Sequence, residues 1–283
     1  MSSLARLRNG WRWVRSLNEN PIYLREKGDW GNPNPFYETL RRYSPFVVMA
    51  AILFGLCAGA NPVLLGGAEE NEAFFIFMCV LCLPGALLSM LTIYGSFMAP
   101  ALTAPTISME MDRGTWDILR LTPHSTSSIL LAKLFGGLSR LPIWRVMAIL
   151  SVFQALMLFC TLSFVDGGTA PSASLSAGVS GFFIGLGALI RPWVEVLFAA
   201  FTGMYLSTWV RSSTYALAGS YTIVVLMKVF SNSGIWLGIW SLLGVDDNGM
   251  LTGSILSPAI VYGTAVLFLW WGIVRQANKL SVT

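Results

Sequence analysis

Long apolar stretches separated by short polar segments run through most of this 283-residue chain. A helix needs about 20 mostly apolar residues to cross a bilayer, and the pattern predicts six such helices. Arg191, Pro192 and Glu195 interrupt the fourth stretch, which leaves open whether it is one long span or a broken one. The predicted spans are 46–65, 73–100, 141–165, 178–210, 213–230 and 255–274. The sequence therefore predicts an all-α integral membrane protein.

Lysine and arginine are concentrated in alternate segments between the predicted spans. Segment 1–45 is basic, as are the loop 101–140, the short loop with Arg211 between the fourth and fifth spans, and the residues after the sixth span. The other loops contain acidic residues and no lysine or arginine: Glu69, Glu70, Glu72, Asp166, Asp246 and Asp247. Because basic segments stay on the cytoplasmic side of a membrane, we predict that both termini are cytoplasmic. The expected location is the plasma membrane, the inner membrane in a bacterium.

The chain is predicted to have two parts, a cytoplasmic segment 1–45 and a single six-helix transmembrane domain over 46–283. The first part begins with apolar residues at helical spacing, which are Leu4, Leu7, Trp11 and Val14. Arginines lie on the neighbouring face, so the pattern predicts an interfacial helix drawn to anionic lipid. A flexible basic tail is the alternative, because Asn9 and Gly10 lie in the middle of this stretch.

The segment 234–244, between the fifth and sixth spans, is apolar but too short to cross a bilayer. Trp236 and Trp240 lie four positions apart and therefore on one face of a helix. Tryptophan prefers the membrane boundary. We expect a short re-entrant or interfacial segment on the outer side.

Composition supports the membrane assignment and excludes several other classes. Hydrophobic residues make up 55% of the chain and charged residues 11%, and the mean hydropathy is +0.65. Soluble domains are about 25% charged, so a soluble enzyme, a disordered chain and a coiled coil are excluded. The net charge of +4 is explained by the basic cytoplasmic segments, and no nucleic-acid partner is expected. The lipid bilayer is the expected surrounding.

Motifs for nucleotide, metal and catalytic chemistry are missing. A phosphate-binding loop of the Walker type needs a lysine after glycine, and none of the four lysines follows one: Lys27, Lys133, Lys228 and Lys279. The chain has one histidine, His124, and its four cysteines lie in apolar stretches. We therefore expect no enzymatic activity, no cofactor and no metal site.

The loop between the second and third spans is the most informative stretch. Gly114 is expected to end the helix that continues the second span, and Thr115 to cap a short new helix. Thr122-Pro123 should end that helix, and Ser125 should cap the next. Trp116 is expected to be exposed, either docked in a cleft of a partner protein or anchored at the membrane surface. Leu119 would pack beside it, and Glu110 would brace the loop by accepting hydrogen bonds or by pairing with a basic residue such as Arg113.

This loop resembles the signature of ABC-2 type transporter permeases. The resemblance rests on Glu110, Gly114, Thr115, Leu119, Thr122, Pro123, Ile129 and Lys133. Weaker similarities are Asn20-Pro21-Ile22 with Arg25-Glu26, and Ser207 with Val210 to Ser213 and Ala216. The chain departs from the pattern at Trp116, where leucine or isoleucine is usual, and at Ala132, where glycine often precedes the lysine.

The resemblance implies a six-helix permease subunit of an ABC exporter that pairs with a second copy or a paralogue. A separate ATPase subunit would dock on a coupling helix at about 115–121. Arg191 and Glu195 are four residues apart and can pair along one helix face of the fourth span; they would line a pathway unless Arg191 merely reaches the outer headgroups. The alternatives are a secondary transporter or channel and a non-transporting subunit of a membrane complex.

Overall fold

The computed structural model describes residues 19–28, 39, 42–43, 72–122, 125–165, 171–232, 235–243 and 247–279. Most of these residues are helical and none belongs to a strand. The predicted first span and the predicted interfacial helix within 1–17 lie outside the described residues. The helices are α1 Pro21–Lys27, α2 Glu72–Thr103, α3 Pro105–Asp112, α4 Thr115–Arg120, α5 Thr126–Ser139, α6 Trp144–Val165, α7 Pro171–Trp209, α8 Ser213–Asn232, α9 Ile235–Leu242 and α10 Asp247–Lys279.

Four helical stretches within the described residues are long and apolar enough to cross a membrane: Pro84–Asp112, Val179–Trp209, Ser213–Asn232 and Leu256–Lys279. A fifth candidate is the pair Thr126–Ser139 and Trp144–Cys160, if the bend of 82° between them lies within one span. Over the described residues the protein is therefore all-helical, and its apolar helices are those of a multi-pass membrane protein. These five overlap the second to sixth predicted spans, but the first runs to Asp112, past the predicted end at residue 100, and the bent pair begins at Thr126, inside the predicted loop 101–140.

The long helix α7 forms the centre of the bundle and packs against α2, α6, α8 and α10. It passes through Arg191 and Pro192 as one helix, so the fourth predicted span is not broken there. Close contact with α2 is made at Thr103, whose hydroxyl donates to the carbonyl of Ala200 at 2.9 Å. A Cβ on Gly203 would lie 3.0 Å from Pro100 Cα, so the glycine allows this approach.

The helices α2 and α3 follow one another with a minimal interruption at Ala104. Pro105 supplies no N–H group to a helical hydrogen bond, yet the backbone of Ala104 keeps helical dihedral angles and its N–H donates to Pro100 at 2.8 Å. The N-terminus of α3 is capped from α7, because Ser207 Oγ accepts from the N–H of Ile107 at 3.2 Å and of Ser108 at 2.8 Å. Ser207 therefore attaches the start of α3 to α7.

The predicted outer segment is the helix α9, and it packs against α10. Trp240 Nε1 donates to Ser257 Oγ at 3.0 Å, which fixes one of the two tryptophans to α10. At the end of α9, Leu242 is 87% exposed. The helical form of the segment is thus confirmed, whereas its position relative to a membrane stays a prediction.

Candidate functional site

The short helix α1 is specified by local signals at both ends. Asn20 Oδ1 accepts from the N–H of Ile22 at 3.0 Å, and Pro21 occupies the first helical position, where a missing N–H has no cost. Gly28 ends the helix in the left-handed region at φ 93°. The Asn-Pro-Ile motif is therefore a helix start, and it presents Arg25 and Glu26 at the far end of α1.

Arg25, Glu26, Glu110 and Lys133 form an ionic cluster between α1, α3 and α5. Lys133 Nζ lies 3.1 Å from Glu110 Oε1 and 3.0 Å from Glu26 Oε1, and Arg25 Nη2 lies 2.7 Å from Glu110 Oε1. Lys133 and Glu110 are almost fully buried, with side chains 1% and 8% exposed. Two cations and two carboxylates balance one another, as the burial of charge requires.

Glu110 accepts further hydrogen bonds that brace the loop, as predicted, but its ionic partners are not those expected. Arg113 is exposed, and Arg25 and Lys133 occupy the pairing role instead. Thr115 Oγ1 donates to Glu110 Oε2. The prediction that Thr115 caps α4 is wrong: it is the first helical residue, and Gly114 is the cap residue at φ 67°.

Gly136 allows α1 and α5 to pack closely beside the ionic cluster. A Cβ on Gly136 would lie 2.6 Å from Glu26 Cβ and 3.1 Å from the carbonyl oxygen of Tyr23. Ile22 packs with Ile129 and Ala132 next to this contact. The absence of a side chain at position 136 thus lets α1 lie directly on α5.

The expectation that Trp116 is exposed is wrong. Its side chain is 3% exposed and belongs to the main hydrophobic core, so neither a partner's cleft nor the membrane surface receives it. Leu119 packs against the cluster of Ile22 and Ile129 rather than pointing away from the chain. The exposed apolar residues of this region are Ile118, at 66%, and Leu121, at 87%.

The predicted end of α4 near Thr122 and the predicted cap of α5 at Ser125 are confirmed in the part of this loop that the structure describes. Thr122 Oγ1 donates to the carbonyl of Leu119 at 2.6 Å, closing the last turn. Ser125 caps α5, since its Oγ accepts from the N–H of Ser128 at 3.3 Å. Pro123 and His124 lie outside the described residues.

A second group of charges lies inside the bundle. Arg191 Nε donates to Glu195 Oε1 at 2.8 Å, which confirms the predicted pair. Lys228 on α8 donates to Glu195 Oε2 at 2.6 Å, a contact that the sequence did not predict because 33 positions separate the two residues. Arg191 also donates to Asn232 Oδ1 at 2.7 Å. These groups line a cavity of about 340 Å³ between α2, α6, α7 and α8.

The described residues contain no cluster of three or more His, Cys, Asp or Glu side chains that could hold a metal ion. Comparisons with protein-family models, curated proteins and solved structures found no match to this chain. The described features that point to a function are the two charged clusters and the exposed apolar residues near α4.

Proposed function

We propose that this chain is the transmembrane permease subunit of an ABC-type exporter, driven by a separate ATPase subunit that docks at α4. The proposal rests above all on the ionic cluster. Residues from both parts of the motif resemblance, Arg25-Glu26 and Glu110 to Lys133, meet in this one cluster although they are distant in sequence. In the proposed orientation the cluster lies at the cytoplasmic end of the bundle.

The exposed apolar residues near α4 are the proposed docking surface. Ile118 and Leu121 project from the short helix and the residue after it, while Trp116 fixes the helix to the core. A helix attached on one side and apolar on the other can bind a partner without losing its own position. Ile118 and Leu121, rather than Trp116, are therefore the proposed contacts to the ATPase.

The connections of α4 provide a route for mechanical force. Thr115 donates to Glu110 at the end of α3, and Glu110 is paired with Lys133 on α5. Movement of α4 by the ATPase would therefore displace α3 and α5 together. Because α3 continues α2 and α5 precedes α6, the displacement would reach two spans of the bundle.

The proposal is tested by purifying the tagged chain from its native membranes and identifying the proteins that remain bound. We expect an ABC-type ATPase in stoichiometric amount, and a second copy or a paralogue of this permease. The double variant Ile118→Ser/Leu121→Ser should lose the ATPase but retain its own fold. A purified chain that never carries an ATPase, with both residues intact, would contradict the proposal.

A secondary transporter is the second candidate, favoured by the charged cavity at Glu195. Ionisable groups within the spans of transporters commonly belong to substrate or ion pathways. The two candidates differ in their energy source. Transport by the reconstituted chain alone, driven by an ion gradient and independent of ATP, would favour the second.

A further inference from the structure

The cavity beside Glu195 contains more positive than negative charge. Arg191 and Lys228 contribute two cations, and Glu195 is the one carboxylate among the described residues that line the cavity. Both carboxylate oxygens of Glu195 are already used, one by each cation. One positive charge is therefore left without a counter-charge in this part of the described structure.

The two cations retain hydrogen-bond donors for a ligand. A guanidinium group has five N–H donors and an ammonium group three. Arg191 donates one to Glu195 and one to Asn232, and Lys228 donates one to Glu195. Both residues line the cavity, so we expect their remaining donors to be available to a ligand there.

An acceptor in the lining of the cavity also lacks a partner among the described residues. Gln154 Oε1, on α6, is buried and has no hydrogen-bond partner among the described residues. Gly85 leaves space for this amide, since a Cβ there would lie 3.2 Å from Gln154 Nε2. Buried acceptors are rarely left unsatisfied, so a donor on a ligand would complete this site.

The remaining lining is largely apolar and includes Leu88, Ile93, Leu158 and Pro192. Its volume of about 340 Å³ lies at the lower end of the range for small-molecule sites, roughly 300–1,000 Å³. A single uncompensated positive charge suits a carboxylate, with one negative charge, better than a phosphate monoester, with about −1.5 to −2.

We propose that this cavity binds an amphipathic monocarboxylate that also carries a hydroxyl group. The carboxylate accepts from Arg191 and Lys228, the hydroxyl donates to Gln154, and the alkyl chain lies against the apolar lining. The site is contained within one chain and needs no ATPase. Ligand binding at this site does not depend on the proposed transport function.

The test measures binding of three probes to the full chain in phosphatidylcholine nanodiscs by calorimetry, with empty nanodiscs as the control for partition into lipid. The probes are decanoate, 3-hydroxydecanoate and decanol. We expect decanoate to bind at least tenfold more tightly than decanol. The hydroxyl group should add about threefold to tenfold in affinity.

Two variants and a control assign these effects to named groups. Lys228→Gln removes the excess charge while Glu195 retains Arg191, and should weaken binding of decanoate at least tenfold. Gln154→Leu should abolish the preference for the hydroxylated probe. Lys279→Gln removes the same kind of charge from an exposed position at the end of α10 and should change neither affinity.

Equal binding of decanoate and decanol by the wild-type chain would overturn the proposal, because the cavity would then select no charge. Binding no greater than that of empty nanodiscs would also overturn it. Both results come from the unmodified protein, so they do not depend on whether a variant folds. The control Lys279→Gln should bind decanoate as the wild type does. If Lys228→Gln does so as well, the carboxylate does not bind at Lys228 and the proposal is overturned.

Discussion

Lys133 Nζ lies 3.1 Å from Glu110 Oε1, although 23 positions separate the two residues along the chain. A second carboxylate, Glu26, approaches the same ammonium group from α1. The almost complete burial of Lys133 makes this contact a fixed part of the structure rather than a surface ion pair. It connects three helices through one side chain.

The first prediction concerns this lysine. Lys133→Met should lower the free energy of unfolding by about 3–5 kcal/mol, because Glu26 and Glu110 then lose a buried positive partner. Thermal unfolding in detergent, followed by circular dichroism, measures the change. Lys279→Met is the control, since Lys279 is exposed; equal loss of stability in both variants would argue against a structural role for the cluster.

The second prediction separates the packing role of Trp116 from the docking role of its exposed neighbours. Trp116→Ala should cost about 3–5 kcal/mol, as expected when a large buried aromatic side chain is removed. Trp116→Phe should cost much less, because the indole Nε1 has no partner among the described residues. Leu121→Ala should leave the melting temperature unchanged. A stable Trp116→Ala protein would contradict the burial of this side chain.

The third prediction concerns Glu195, which is the counter-charge of two cations. Glu195→Gln should destabilise the protein by on the order of 3 kcal/mol, because Arg191 and Lys228 are left together without their carboxylate. Adding Lys228→Met to this variant should restore part of the loss, since it removes one of the repelling charges. A double-mutant cycle on thermal unfolding gives the coupling energy, and a coupling near zero would mean that the contact between Glu195 and Lys228 contributes nothing.

The fourth prediction concerns membrane orientation. Ser212 lies immediately before the start of α8. Ser241 lies in α9, which follows the other end of α8, and both serines are exposed. In a cysteine-free background, Ser241→Cys should react with an impermeant thiol reagent applied from outside. Ser212→Cys should react only after the membrane is opened. The reverse labelling pattern would refute the predicted orientation.

The sequence predicts those features of the site that depend on neighbouring residues. Gly114 interrupts the helix, Ser125 caps the next one, and Arg191 pairs with Glu195 four residues away; each follows from local backbone or helix geometry. The features that were missed depend on contacts between distant segments. The burial of Trp116 requires the packed bundle, and the partners of Glu110 come from α1 and α5.

The loop 101–140 contains one feature of each kind, the burial of Trp116 and the ionic cluster at Glu110. The position of Trp116 within the loop 101–140 gives no sign that other helices cover it, and an isolated helix with this residue would expose it. The members of the ionic cluster can be picked out from the sequence, because they belong to the motifs on which the family resemblance rests. A motif indicates which residues matter, but their pairing requires the three-dimensional structure.

The contact between Glu26 and Lys133 also sets an order of events during synthesis. The two residues are 107 positions apart, so at 5–20 residues per second Lys133 is made roughly 5–20 s after Glu26. A helix as short as α1 is unstable in water by itself. We therefore expect α1 in the nascent chain to stay accessible to proteases or ribosome-bound factors through that interval, and to become protected only once α5 has left the ribosome.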